Sequence, residues 1–182
     1  MDATTEHELR QMLDRQQILD CIHRYTRGID RFDRELMLSA YHEDAFDDHG
    51  VFQGNPEEFA DWVYDMHRRR HTLHQHYVTN HTCQLAGDTA HTETYFLLLA
   101  HNTSGSPISM HGGRYLDRFE RRGGRWAIAA RAVTSEWTGE VPTIQGAQLP
   151  RTAPGAVLRG PGDVSYARPL NRQTAAATLE NR

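Results

Sequence analysis

The chain has 182 residues and a mass of 20.8 kDa, which is enough for one domain with a hydrophobic core and gives little support to two. Its formal net charge is -4 with acidic and basic residues interspersed, so it lacks the basic footprint of a nucleic-acid-binding protein. No apolar run reaches the ~20 residues of a membrane-spanning helix, and the polar N-terminus does not resemble a signal peptide. We therefore expect a cytoplasmic protein with neither nucleic acid nor a membrane as its partner.

Three helices are predicted in the first seventy residues. Apolar residues recur at mostly helical spacing over about 6–29, which predicts a long amphipathic helix. Asp33 is the expected N-cap of a second, short helix that reaches Tyr41, since an aspartate side chain accepts a hydrogen bond from an orphan amide. After a weakly alternating strand and turn over 44–54, a cap, a proline and an acidic first turn begin a third helix. That helix ends in the basic run 68–70.

Four long strands are predicted in the second half of the chain, where threonine, tyrosine and leucine are frequent. The strands are predicted over 74–85, 89–100, 108–121 and 126–137. Mostly short connections between consecutive strands indicate an antiparallel meander. Helices followed by such a sheet predict an α+β fold, in which a cone-shaped curved antiparallel sheet wraps around the N-terminal helices and leaves a pocket at its wide end.

The composition changes after residue 140, where five of the seven prolines stand among several glycines and few large apolar residues. Such a segment cannot bury enough surface to form its own core. The sequence therefore predicts one domain over 1–140 and a Pro/Gly-rich C-terminal tail over 141–182, flexible or draped over the domain or a neighbouring subunit. Cys21 and Cys83 lack the spacing of a zinc site or a disulfide framework and are interpreted as small buried residues.

Acid–base chemistry is indicated by the histidines, of which the chain has 12, most of them between His67 and His111. Strand alternation places His76 and Asn80 on one face of the first long strand. Asp30 stands at the end of the first helix, and a histidine held by a carboxylate is a standard general base. Taken singly, the aspartate fits a helix cap and the histidine fits a sheet edge equally well.

Four segments carry a resemblance to known enzymes: the first-helix segment 24–36, the histidine-bearing strand 73–80 and the last two strands over 111–121 and 124–128. In order and spacing they resemble segments of scytalone dehydratase and bile acid dehydratase, which belong to the SnoaL-like family of the nuclear transport factor two superfamily. The resemblance spans roughly residues 6–138. It implies a cystatin-like cone whose pocket holds the active site.

The same resemblance implies a cofactor-independent lyase that acts on a hydroxylated aromatic or polycyclic small molecule. Asp30 falls where the family's first-helix aspartate orients a histidine, and His76 falls at the histidine that takes the proton. Tyr25 and His101 match pocket positions that would donate hydrogen bonds to a developing oxyanion. Substrate contact is expected from Asn80, His111, Arg114, Tyr95 and Trp62. We expect neither a cofactor nor a metal. We expect the protein to form a homodimer or a homotrimer.

Three other interpretations stay open. The histidines at 71, 74, 76 and 81, with the segment Asp47-Asp48-His49, could hold zinc or iron, although no HExxH spacing exists. The same fold also serves non-catalytic small-molecule-binding or assembly modules. An isomerase would use the same residues for proton transfer without elimination. Ile29 replaces a tyrosine of scytalone dehydratase, and Leu98-Leu99 replaces a second acid of the bile acid enzyme, so the substrate does not carry over.

Overall fold

The computed structural model describes residues 1–142 and 159–169. The helices are α1 (Ala3–Arg31), α2 (Arg34–Leu38) and α3 (Pro56–Arg70). The strands are β1 (Tyr41–Asp48), β2 (Gln53–Gly54), β3 (His71–Ala86), β4 (Thr89–Asn102), β5 (Ile108–Arg122) and β6 (Arg125–Glu140), and a 3-10 turn covers Val164–Tyr166. None of the described helices is long and apolar enough to cross a bilayer. The predicted α+β order of helices first and a curled sheet afterwards is confirmed.

Local sequence signals fix the helix boundaries. Asp33 caps α2 by accepting a hydrogen bond from the amide of Leu36, as predicted. In α3 the Asn55 side chain accepts from the amide of Glu58 while the Glu58 carboxylate accepts from the amide of Asn55, a complete capping box. Helix α1 ends at Phe32, whose φ of 54° is the left-handed conformation that stops a helix. The chain therefore turns sharply just after Asp30.

The six strands form one sheet in the order β2-β1-β6-β5-β4-β3. Strands β3 to β6 pair antiparallel with their neighbours in sequence, which confirms the predicted meander. Outside this meander, β1 pairs with β6 in parallel. That pairing joins segments about eighty residues apart in sequence, and no local pattern signals it.

The core lies between α1, α3 and the concave face of the sheet. Residues Ile18, Ile22 and Ile29 of α1 are buried on the face that packs against the strands. The sheet contributes a matching set of buried large side chains, which are Phe96, Tyr115, Phe119, Trp126 and Ile128. Burying these side chains away from water is the main favourable contribution to folding.

Gly28 allows α1 and α2 to touch. A Cβ atom at this position would lie 2.5 Å from the backbone nitrogen of Met37, closer than Cβ atoms approach other atoms in proteins. The buried Met37 packs against this side of α1 because the glycine has no side chain. The close approach fixes the direction in which the last turn of α1 presents Asp30.

Part of the predicted tail is described. Segment 159–169 packs against the end of α1, where the Tyr166 hydroxyl donates to Asp33 at 2.7 Å and the Arg27 guanidinium lies 4.7 Å from the centre of the Tyr166 ring. Asp163 pairs with Arg31 at 3.5 Å. The remainder of the predicted tail, 143–158 and 170–182, lies outside the described residues.

Candidate active site

A cavity of about 590 Å³ opens between the helices and the concave face of the sheet. Apolar and aromatic side chains form most of its wall, and they come from α1, α3, β4, β5 and β6. The aromatic members are Tyr25, Phe59, Trp62, Phe96 and Tyr115. Histidines 49, 67, 71, 76 and 111 also line it. A concave apolar cavity with a few convergent polar groups is the usual form of a small-molecule site.

Asp30 and His76 meet at this cavity. The Nδ1 atom of His76 lies 2.7 Å from Oδ1 of Asp30, and the backbone amide of His76 donates to Oδ2 at 2.9 Å. Only 11% of the Asp30 side chain and 7% of the His76 side chain are exposed. The two hydrogen bonds hold the carboxylate in one orientation relative to the imidazole.

The hydrogen bond to Asp30 also determines which ring nitrogen of His76 is available. Since an ionised carboxylate only accepts, Nδ1 carries the proton in the neutral ring and Nε2 keeps its lone pair. Among the described residues Nε2 has no hydrogen-bond partner. His76 thus presents a basic nitrogen to the cavity, in a row across three strands with Leu98 and His111.

Three more histidines lie near the pair of Asp30 and His76 and are held neutral, and two of them, His67 and His71, line the cavity. Burial, followed by the nearby His76, lowers the pKa of His74 to about 3. Burial, followed by Arg159, lowers the pKa of His71 to about 4. Burial also places the pKa of His67 far below its usual range, with a further contribution from His74. At neutral pH these rings therefore add polar surface without adding positive charge.

Two groups of described side chains bring three potential metal ligands together. They are His67, His71 and His74, and Asp30, His74 and His76. In the first group the rings of His67 and His74 stack at 3.7 Å with 11° between their planes, and Nδ1 of His67 lies 2.8 Å from Nδ1 of His71. In the second group the hydrogen bond between Asp30 and His76 occupies the atoms an ion would need. The hydrogen bond in the second group suits proton transfer.

A second aspartate–histidine pair borders the same cavity. Oδ1 of Asp47 and Nδ1 of His49 form a hydrogen bond, and Nε2 of His49 lies 3.1 Å from the Tyr25 hydroxyl. The sequence suggested Asp47 and His49 only as metal ligands. The signal for a pair was their spacing of two residues, which places both side chains on one face at the end of a strand.

The predicted site residues divide into two sets. Tyr25, Trp62 and His111 line the cavity together with His76, and Asp30 adjoins it through its hydrogen bonds. The other four predicted residues do not line the cavity; they are Asn80, Tyr95, His101 and Arg114.

Strand geometry explains the second set. Tyr95 and Arg114 are cross-strand partners on the outer face of the sheet, where Arg114 pairs with Glu93 at 3.0 Å. His101 is exposed, forms a hydrogen bond with Thr72 and lines a second groove of about 330 Å³, which Asp30 also lines. Asn80 is exposed because the register of β3 against β4 shifts between Val78 and His81, which reverses the alternation. The structure gives these four residues no contact with the cavity.

Several solved structures have the same fold. A hexachlorocyclohexane dehydrochlorinase, LinA type 2, superposes with a TM-score of 0.70 at 20% identity, covering 78% of this chain and 97% of the other. A scytalone dehydratase-like protein from Novosphingobium aromaticivorans gives 0.65 at 14% identity, with 76% and 97% coverage. A protein with a cystatin-like fold from Nostoc punctiforme gives 0.58 at 20%, with 68% and 92% coverage.

The sequence comparison identifies the family. No curated protein matches the sequence. The SnoaL-like domain family matches residues 10–132, which include most of α1, the other two helices, Asp30, His76 and the first five strands. The chain is a member of the SnoaL-like domain family, as its first-helix and strand segments indicated.

Proposed function

We propose that this protein is a cofactor-independent lyase of the dehydratase kind, in which His76 removes a proton from carbon and Asp30 holds and stabilises it. The observation that carries the proposal is the paired hydrogen bond of Asp30 to the ring and the amide of His76, which leaves Nε2 available at the cavity. A carboxylate in this position fixes the tautomer of the base and stabilises the cation formed after proton capture.

The reaction needs few parts. Nε2 of His76 takes a proton from a carbon next to a carbonyl group, the C–H electrons form the new double bond, and the leaving group departs from the adjacent carbon. The neutral side chain of His111, on the strand two places across the sheet, is positioned to donate a hydrogen bond to a developing oxyanion. A base placed in this way contributes about 10²- to 10⁴-fold to the rate.

The structural relatives support an elimination. Two of them are named a dehydrochlorinase and a scytalone dehydratase-like protein, and both names denote the loss of a small molecule. Their identity to this chain is 20% and 14%, so the choice of leaving group rests on the cavity and its chemistry.

The cavity supports a hydroxylated aromatic or polycyclic substrate. Its volume of about 590 Å³ is in the range of small-molecule sites. Phe59 and Trp62 on the helix side face Phe96 and Tyr115 on the sheet side, which provides flat apolar walls for a ring system. We further propose that the protein is cytoplasmic. We also propose that it forms a homodimer or a homotrimer, because the outer face of the sheet carries exposed Tyr77, Tyr95 and Trp137. Light scattering would measure the number of subunits.

A metabolite screen tests the proposed function. Hydroxylated aromatic and polycyclic compounds are incubated with wild type, with His76→Ala and with His91→Ala, and products are followed by mass spectrometry. His91 is exposed on β4 outside the cavity, so its variant controls for loss of a histidine. We expect loss of water from at least one compound with wild type and with His91→Ala, and almost none with His76→Ala. Equal turnover by all three proteins would contradict the proposed mechanism.

A further inference from the structure

The second aspartate–histidine pair is built as completely as the first. Asp47 is fully buried, and its carboxylate accepts hydrogen bonds from the Tyr41 hydroxyl at Oδ2 and from His49 at Oδ1. The His49 ring stacks on Phe59 with 4.2 Å between centroids, which fixes the plane of the imidazole. Its side chain is 16% exposed. Both the orientation and the tautomer of His49 are therefore determined by its neighbours.

Tyr25 completes a chain of proton-carrying groups. Its hydroxyl lies 3.1 Å from Nε2 of His49, and both residues line the cavity that His76 also lines. Burial places the pKa of Tyr25 well above its usual value, so the phenol keeps its proton at neutral pH. Asp47, His49 and Tyr25 thus form a continuous hydrogen-bonded path from a buried carboxylate to the cavity.

A path of this kind can protonate the leaving group, a role that has not been assigned to Asp30 and His76. When water is lost, the carbon-bound proton must be removed and the departing hydroxyl must be protonated, because hydroxide is a poor leaving group. A donor separate from His76 lets both proton transfers occur in the same step. Tyr25 and His49 come from α1 and the end of β1, separate from the strand that carries His76.

We propose that Tyr25, His49 and Asp47 form a second proton relay that protonates the leaving oxygen, an inference that rests on the proposed lyase function. The departing oxygen takes the proton of Tyr25 as the C–O bond breaks, and Tyr25 takes the proton on Nε2 of the His49 imidazolium. Asp47 positions His49 and stabilises its charged form. After product release, solvent removes the proton from His76 and returns one to His49, so the net change is the loss of one water molecule.

The inference predicts that the relay matters only when the leaving group needs a proton. The probes are 3-hydroxy-1-tetralone and 3-chloro-1-tetralone, which share a bicyclic skeleton and both give fluorescent 1-naphthol. The hydroxy compound must lose water, whereas chloride departs without a proton. For every variant we measure the ratio of the two rates, each corrected for the uncatalysed reaction. Partial loss of folded protein lowers both rates by the same factor and therefore does not change the ratio.

We expect His49→Gln to lower the hydroxy-to-chloro rate ratio by about 10²-fold, the size of a typical acid–base contribution. Tyr25→Phe keeps the packed ring and should lower the ratio to a similar extent, which covers the case in which His49→Gln folds poorly. His76→Gln should lower both rates together, because proton removal is common to the two probes. His91→Gln is the matched histidine control and should leave the ratio at the wild-type value.

Other outcomes separate the two proposals. An unchanged ratio in both His49→Gln and Tyr25→Phe would overturn the relay and leave the base assigned to His76 intact. Wild type that turns over the chloro probe but not the hydroxy probe would also overturn the relay alone. Wild type that turns over neither probe, or His76→Gln that keeps both rates, would overturn the proposed function and the relay with it.

Discussion

At the level of individual side chains, the hydrogen bond to Asp30 distinguishes the proposed base from the neighbouring histidines. His71 and His74 are buried and stay neutral because their surroundings disfavour the charged ring. His76 forms a hydrogen bond of 2.7 Å from Nδ1 to Oδ1 of Asp30, whereas Nε2 of His74 lies 3.7 Å from the same oxygen. The same residue type therefore serves as packing at one position and as a proposed base two residues further along the strand.

The buried histidines predict that the protein is destabilised by acid. The pKa of His71 is about 4 in the fold against an ordinary value of 6.5, so the unfolded chain binds more protons as pH falls through this window. The free energy of unfolding should drop between pH 6.5 and about 4. In His71→Gln the slope should be shallower by up to about 1.4 kcal/mol per pH unit.

Denaturant unfolding of wild type and His71→Gln at a series of pH values measures this slope. Above about pH 7.5 both proteins should show no dependence that arises from this residue, since an unfolded histidine is also neutral there. Identical slopes in the two proteins below pH 6.5 would contradict the assignment of His71 as a buried neutral ring.

The candidate site was predictable from sequence only where local rules held. Asp30 and His76 followed from the helix end and from the family resemblance, and they meet as expected. Alternation along β4 places Thr94, Phe96 and Leu98 on the inner face of the sheet. The same alternation places Tyr95 and His101 on the outer face, away from the cavity, and this was predictable from the sequence. The register shift in β3 that exposes Asn80 depends on pairing with β4, and no local pattern signals it.

At the level of helices and strands, the contact of α1 with α2 determines how Asp30 is oriented towards His76. Gly28→Ala would place a methyl group 2.5 Å from the Met37 nitrogen, and the backbone of α2 would have to move. We expect a loss of about 1–3 kcal/mol of unfolding free energy, as for overpacked cores, together with reduced turnover because Asp30 shifts relative to His76.

Thermal unfolding and turnover of Gly28→Ala are compared with those of Gly139→Ala. A methyl group added at Gly139, in β6, would meet no other atom within 4 Å, so this substitution controls for the change of residue type. A Gly28→Ala protein as stable and active as the Gly139→Ala protein would show that the close approach has no role in positioning Asp30.

The elements themselves were largely predictable, because their signals are local. The start of α3 is predicted by Asn55, Pro56 and Glu58. Two of the strand connections are predicted by Gly87 and Gly123. The parallel placement of β1 beside β6 was not predictable in this way. It is fixed by contacts far apart in sequence, such as the amide of Ile128 donating to the carbonyl of Ala40 at 2.9 Å.

At the level of the whole fold, one buried ion pair ties the sheet to the helices. The Arg131 guanidinium donates to both carboxylate oxygens of Asp117 at 2.7 Å, and both side chains are fully buried. Its Cζ atom lies 4.0 Å from the centre of the Tyr25 ring and 4.3 Å from that of Tyr115. Arg131 thus links β5, β6 and α1 in the centre of the fold.

Arg131→Met should be strongly destabilising, because it leaves the Asp117 carboxylate buried without its cation. We expect a loss of about 3–5 kcal/mol of unfolding free energy. Arg118→Met removes a partly exposed arginine paired with Glu120 and should change the stability by less than about 1 kcal/mol. Urea unfolding of both variants measures the difference, and equal stability of the two would contradict a structural role for the buried pair.

Asp30 and His76 are proposed to act as one catalytic unit, and a double-mutant cycle shows whether they do. The turnover of 3-hydroxy-1-tetralone is measured for wild type, Asp30→Asn, His76→Gln and the protein that carries both changes. We expect each single change to lower the rate by about 10²- to 10⁴-fold, and the double variant to be no slower than the slower single variant, because groups that act together are not additive. Losses that multiply in the double variant, or a His76→Gln protein with the wild-type rate, would contradict the paired role of these two residues.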